Sequence, residues 1–494
     1  MTTADLILAI DQGTTGTTCL IVDANLTVLG RATVEFPQHF PQPGWVEHDP
    51  DELWASVLGA IAKALELSAV EPGRIAAIGI TNQRETSLVW DRKTGAPIHR
   101  ALVWQDRRTA DVCEALKSAG HEPDVKRRTG LVLDPYFSAT KLQWALDNVA
   151  GARARAEAGA LAAGTIDSYL VWRLTDGQSH VTDPSNASRT LLWPLEGGGW
   201  DDALCALFKV PQAMLPRVVP CDAAMGKTRG VPGLPDGIEI HGMAGDQQAA
   251  LFGQACFDVG QAKCTYGTGA FVMLNTGSEV VPSKHGLLTS VAWQIGDTTT
   301  YCLEGSCFVA GAVVQWLRDQ LGIIEHAHEI EALAEQVASS EGVVLVPAHA
   351  GLGAPHWRPQ ARGLIVGLTR GTNKAHLARA ALEGIALQVT DLLDAMAKDL
   401  GKPLDLLRVD GGAAANNLLM QIQADLLGTP LQRPTILEAT ALGAVSLAGL
   451  GCGLWSDTGA LSRAWQQDAR FEPGGDPAAL ADLRSRWSDA VERA

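Results

Sequence analysis

Residues 6–16 read LILAIDQGTTG. A strand-like apolar run ends in the turn Asp11-Gln12-Gly13-Thr14-Thr15-Gly16, and a second apolar run, Cys19 to Val22, follows closely. Such a turn lets main-chain N–H groups converge on an anion, because glycine permits close approach and threonine adds hydroxyl donors. The same construction returns as Tyr266-Gly267-Thr268-Gly269. Either turn alone would serve an ordinary hairpin. Together, with Asp410-Gly411-Gly412 after a third apolar run, they point to one phosphate-bearing ligand held between two halves.

Around this turn, Leu6–Asp11, Cys19–Asp23 and Thr27–Thr33 read as a β-meander, and apolar residues at Leu53, Val57, Ile61 and Leu65 after Asp49-Pro50 predict an amphipathic helix. Ala76–Thr81 is a short buried strand ending in Asn82-Gln83-Arg84-Glu85, and polar residues at such an end line crevices. Gly245-Asp246-Gln247-Gln248 places a carboxylate able to accept an alcohol proton about twenty residues before the second turn. Gly151–Gly164, rich in Ala, Arg and Glu, reads as an exposed helix, and Val231–Gly237 as a surface connection. A new meander, 262–275, copies the opening one as a weak internal duplication. Further on, Leu406–Val409 reads as a strand, Asn416 leads a helix carrying Leu419, Ile422 and Leu426, Ala310–Leu317 and Thr440–Leu450 read as helices, and the tail is a charged helix.

A chain of 494 residues exceeds what one core supports, so two large domains are expected, 1–254 and 255–494. With 39 basic and 55 acidic residues the net charge of −16 argues against nucleic acid and anionic lipid as partners. Local N–H groups can still hold nucleotide phosphates. Nine scattered cysteines without Cys-x-x-Cys spacing fit reduced thiols used as small hydrophobes. The start of the chain has no basic region, and no uncharged apolar run reaches membrane-spanning length, so a cytoplasmic protein is expected. Gly226-Lys227-Thr228 is not a Walker A loop, since Cys221 stands where that motif needs glycine. The protein-kinase signatures H-R-D and D-F-G do not occur.

The strings DQGTT at 11, GWVEHDP at 44, ITNQRET at 80, DPYFS at 134, TDPSNASRT at 182, AGDQQAALFGQ at 244, YGTGAF at 266, GLTRG at 367 and RVDGGAAANN at 408 resemble the glycerol kinases of the FGGY carbohydrate kinase family. The match runs through residues 5 to 450 in order and spacing. DQGTT is shared by many actin-like nucleotide-binding enzymes, whereas GITNQRET and AGDQQAALFGQ are more telling for a triol. The resemblance implies an α/β, two-domain, actin-like ATPase (ribonuclease H-like) fold with the ligand cleft between domains. It implies transfer of the terminal phosphoryl group of ATP to glycerol, giving sn-glycerol 3-phosphate in glycerol catabolism.

The resemblance also implies roles for particular residues. Asp246 would be the general base; its plainer role is at the start of a helix. Arg84, Glu85, Trp104, Tyr136, Gln247 and Phe271 would bind the triol with Asp246, although Arg84 and Glu85 taken alone read as a surface ion pair and the aromatics as packing. Thr14, Thr15, Gly16, Thr18 and Thr268 would lie at the phosphates, and Gly311, Gln315, Gly412 and Asn416 around the nucleoside of ATP or ADP. Asp11 would hold Mg²⁺ through water.

The chain departs from the family pattern in places. Thr18 stands where most relatives carry a phosphate-touching arginine, and Arg358 where they usually carry aspartate. The loop at 230–237 and the tail after 470 do not resemble known regulatory segments. Homodimer and homotetramer both stay open. Two other functions compete: a sister kinase for a pentulose or tetritol, and an actin-like or chaperone-like ATPase, against which no peptide-binding β module follows the core.

Overall fold

The computed structural model describes residues 4–494. Two sheets form its framework. The first is ordered Gly226–Lys227, Glu239–Gly245, Ile75–Asn82, Leu6–Gln12, Gly16–Val22, Val28–Glu35. The three middle strands that end at Gln12, Asn82 and Gly245 are mutually parallel; the other neighbours pair antiparallel. The second runs Gln467–Phe471, Leu431–Pro434, Leu406–Asp410, Gln261–Tyr266, Ala270–Gly277, Thr298–Cys307, Leu288–Ile295. Its strands follow the same succession of directions, with one extra antiparallel strand at the end. The duplication is therefore structural, and it extends well beyond the two meanders in which the sequence reveals it.

Apolar periodicity accounts for most elements. Asp49 caps the helix Pro50–Ser68 by accepting from the Asp51 N–H, and Leu53, Val57 and Ile61 are fully buried against the first sheet. Asn416 likewise caps Asn417–Leu427 through the Leu419 N–H, burying Leu419, Ile422 and Leu426. The expected helices near 310 and 440 run over Gly311–Asp319 and Ala439–Gly451, and the tail helix over Pro477–Arg493.

The 151–164 stretch differs from the expected exposed helix. Only Ala152–Glu157 is helical there; Leu161–Thr165 is a fully buried strand pairing with Ser87–Asp91 in a separate four-stranded sheet. Alanine favours helix, and burial between Trp90 and the following helix overrides that propensity. In the 231–237 connection, Val231 and Leu234 turn inward to plug the first core.

The seam between the halves depends on small side chains. Helix Ala439–Gly451, from the second half of the chain, lies on the first sheet and crosses helix Asp246–Gly253, with Ala444 over Gly79, Ala448 over Gly242 and Gly443 against the Ala249 carbonyl. No larger residue fits at these crossings. Arg358, which departs from the family pattern, serves mechanically. Its guanidinium donates to the carbonyls of Val491 (2.5 Å) and Ala494 (3.1 Å), neutralising the carboxyl end of the last helix.

Gly443→Val should destabilise the protein by about 1–3 kcal/mol, since the new side chain meets backbone and not a movable tip. Gly474→Val, where a Cβ points into open space, is the control. A thermal melt in which both variants equal the parent would refute the tight-seam account.

Candidate active site

Strand register brings distant residues to one place. Gln12 pairs with Asn82, and Asn82 with Gly245, so the segments following these three strands emerge side by side. They carry the first Gly/Thr turn, Arg84-Glu85 and Asp246 respectively.

The acceptor end of the site is an enclosed charged cluster. Arg84 and Glu85 are 3% and 1% exposed, so the surface ion pair is excluded. Arg84 Nε lies 3.3 Å from Asp246 Oδ1 and 3.8 Å from Glu85 Oε1. Its two terminal nitrogens donate to the Glu304 carboxylate at 2.7 and 2.6 Å, and one also to Gln248 Oε1 at 3.1 Å. Tyr136 Oη stands 3.5 Å from Arg84, and the Trp104 ring packs edge-on to Tyr136 at 5.6 Å. Trp104 Nε1 donates to Thr14 Oγ1 at 3.0 Å, so the aromatic wall is fastened to the first turn. Glu85 has φ of +61°, a strained value for a residue with a side chain. Hydroxyls of Ser87 and Ser138 hold its carbonyl at 2.9 and 3.0 Å.

The TDPSNASRT segment props this cluster from below. Asn186 and Asn82 exchange two amide hydrogen bonds of 3.0 Å, and Ser185 Oγ accepts the Gly245 N–H at 2.9 Å. Arg189, fully buried, donates through Nε to Glu85 at 2.7 Å. The first turn is fixed by side-chain amides: Gln83 donates to the Gly13 carbonyl (3.1 Å) and Gln38 to that of Thr14 (2.9 Å). His48 joins the two, its Nε2 2.7 Å from Gln38 Oε1 and its Nδ1 3.3 Å from Gln83 Nε2. Burial pushes the His48 imidazole down to about 3, so it stays neutral, with Nε2–H donating and Nδ1 accepting.

The second sheet supplies the opposite wall. Thr268 and Gly267 carbonyls accept from Ala310, Gly311 and Ala312, docking the start of helix Gly311–Asp319 on the second turn. A cavity of about 720 Å³ opens here, lined by Thr268, Gly311, Gln315, Gly412 and Asn416, with Arg318 and His328 at its wall. It has the size of a small-ligand site. Thr14, Thr15, Gly16 and Asp246 do not line it. Phe271 pairs across from Thr265 on the adjoining strand and is half-buried.

Sequence reasoning missed three charged groups, Glu304, Arg189 and Lys263, and the partner of a fourth, Asp410. Glu304 and Arg189 enclose Arg84 and Glu85. Lys263, fully buried, donates to Gln247 Oε1 and to Thr265 Oγ1 at 3.0 Å, tying the helix that carries Asp246 to the second sheet. Asp410 accepts from Gln254 at 2.7 Å at the other end of that helix. A charged residue at an inward position of an otherwise apolar strand, as in Ala262-Lys263-Cys264 and Leu303-Glu304-Gly305, was the available signal.

Burial raises the Asp246 carboxyl, with Arg84, the Gln247 N–H and Lys263 partly offsetting that and Glu304 adding to it. Burial and then the Asp246 charge push Asp11 up to about 7. A buried carboxylate raised further by a neighbouring one suits a divalent cation, whose charge would let it ionise. Thr18 is the cross-strand partner of Asp11, so its side chain shares that face; its hydroxyl is 2.9 Å from Thr33 Oγ1.

Comparison with known proteins agrees with this geometry. Models of the N-terminal and C-terminal domains of the FGGY family of carbohydrate kinases match residues 6–253 and 262–452. A glycerol kinase of Myxococcus xanthus is 58% identical over the whole of both chains, and one of Alkalilimnicola ehrlichii 55% over 99% of this chain and 98% of its own. Among solved structures, Plasmodium falciparum glycerol kinase with ADP superposes with a TM-score of 0.94 at 36% identity, covering 99% of this chain and 98% of the other. A gluconate kinase of Lactobacillus acidophilus, at 23% identity and a TM-score of 0.88 over 99% and 97%, shares the fold. The chain therefore belongs to the FGGY family of carbohydrate kinases.

Proposed function

We propose that the chain phosphorylates glycerol with ATP, giving sn-glycerol 3-phosphate and ADP. The observation that carries this reading is the Asp246 carboxylate 3.3 Å from a buried arginine, walled by Glu85, Tyr136 and Trp104. A short triol needs alternating donors and acceptors over an apolar carbon backbone, and this set supplies them. The full-length relatives named glycerol kinase lend further support.

Asp246 takes the proton from the attacking hydroxyl as the new oxygen–phosphorus bond forms and the bond to the β-phosphate oxygen breaks, releasing ADP. Its raised carboxyl makes it a stronger base than an exposed aspartate. Arg84, Glu85 and Gln247 orient the hydroxyls; Trp104, Tyr136 and Phe271 flank the carbons. Thr14, Thr15, Gly16 and Thr268 hold phosphate oxygens, while Gly311, Gln315, Gly412 and Asn416 hold the nucleoside. Asp11 would hold Mg²⁺, which when bound neutralises phosphate charge. A grip on the substrates from both halves would exclude water, which otherwise competes as nucleophile.

We place the division between domains at 254/255 and the enzyme in the cytoplasm, as a homodimer or homotetramer. No helix among the described residues is long and apolar enough to cross a membrane. None of the nine cysteines is paired, in keeping with a reducing compartment.

Asp246→Asn should lower turnover by roughly 10²–10⁴-fold and leave glycerol binding largely intact. A coupled ADP-release assay over a polyol panel, with calorimetry for binding, decides this; full activity would end the base assignment, and preference for a pentulose or tetritol would end the glycerol reading. Mg²⁺ titrated into nucleotide-free protein should bind more tightly as pH rises through about 7 and level off above. Protons compete for Asp11 below that point, so a flat profile would remove Asp11 from the cation site. Thr18→Arg, by adding a cation on the face of Asp11, should tighten MgATP binding or speed transfer; unchanged kinetics would show that the missing arginine is of no consequence.

A further inference from the structure

Arg84 has five N–H groups, and their distribution is informative. Three are taken by protein acceptors away from the acceptor pocket: two by the Glu304 carboxylate and one by Gln248 Oε1. Two remain, on Nε and on the nitrogen beside Tyr136, and these face Asp246, Glu85 and Tyr136. Glu304 thus sets the rotation of the guanidinium. It comes from the second sheet, whereas Arg84 comes from the end of a strand in the first.

Arg189 completes the arrangement. It bridges Glu85, at 2.7 Å, and Glu304, at 3.2 Å, and donates to Ser290 Oγ at 2.9 Å. Arg84, Arg189, Glu85 and Glu304 are all buried. Two guanidinium and two carboxylate charges cancel, which is the condition for burying four ions together. Although burial pushes the Glu304 carboxyl up, Arg189 and Arg84 draw it down to about 2, so it is ionised at every working pH.

The arrangement has a consequence for Asp246. An arginine 3.3 Å from a carboxylate would ordinarily rotate into a two-pronged ion pair with it, which would consume the base and weaken it. Glu304 occupies both prongs. Resting on the glycerol-phosphorylating reading above, we propose that Glu304 and Arg189 are positioning residues that aim Arg84 and Glu85 at the acceptor and limit Arg84 to a single Nε contact with Asp246 in place of a two-pronged pair.

Glu304→Gln, which removes the charge and keeps the shape, tests this. The expected result is a glycerol KM raised about tenfold or more and an ATP KM little changed. Glu304→Asp should recover part of the loss. Arg189→Lys, which keeps a charge but cannot span two carboxylates, should also raise the glycerol KM selectively, and it decides the matter if melting shows Glu304→Gln to be unfolded. Folded variants that lose kcat/KM equally for both substrates would overturn the proposal. Absence of glycerol turnover in the parent enzyme would instead overturn the functional reading on which it rests.

Discussion

Backbone register is the constraint on which this molecule depends. Gln12, Asn82 and Gly245 lie abreast in one sheet, and the residues just beyond them are a Gly/Thr turn, the Arg84–Glu85 pair and the Asp246 carboxylate. A slip of one residue in any of the three strands would turn the following side chain to the opposite face. Fully buried strands such as Leu6–Ile10, packed on both sides, make that slip expensive. The second sheet repeats the device, with Thr265 beside Asp410 and the turn of Gly267 to Gly269 above them.

The two sheets meet through unlike kinds of contact. At the back, glycine and alanine allow helices Asp246–Gly253 and Ala439–Gly451 to cross in close contact. At the front, buried charges cross the seam: Glu304 to Arg84, Lys263 to Gln247, Asp410 to Gln254. Removing Glu304 or Arg84 from the one ion pair among these leaves an uncompensated buried charge, costing roughly 3–5 kcal/mol. The helix bearing Asp246 is consequently held at both ends by the half of the molecule that carries the large cavity beside Thr268. The Asp246 cluster and that cavity are thereby fixed relative to one another through one element.

The sequence showed the parts whose chemistry is local. Glycine and threonine at the two turns, the capping residues Asp49 and Asn416, and the apolar spacing of Leu53, Val57 and Ile61 act over a few residues, so their pattern is legible in a string. The order of the motifs likewise carried the family and the two-domain plan. Position 358 shows where that ends: its departure from the family pattern was visible, yet its work, capping a helix more than a hundred residues away, was not.

Tertiary structure alone decided what depends on distant partners. Leu161–Thr165 became a strand because burial beside Ser87–Asp91 overrode the helical preference of its alanines. Arg84 and Glu85 read as a surface pair because nothing near them in sequence neutralises them. Their partners, Arg189 and Glu304, lie over a hundred and over two hundred residues further on. Burial of a charge is set by the sum of the charges that fold around it, and that sum exists only once the two sheets have closed.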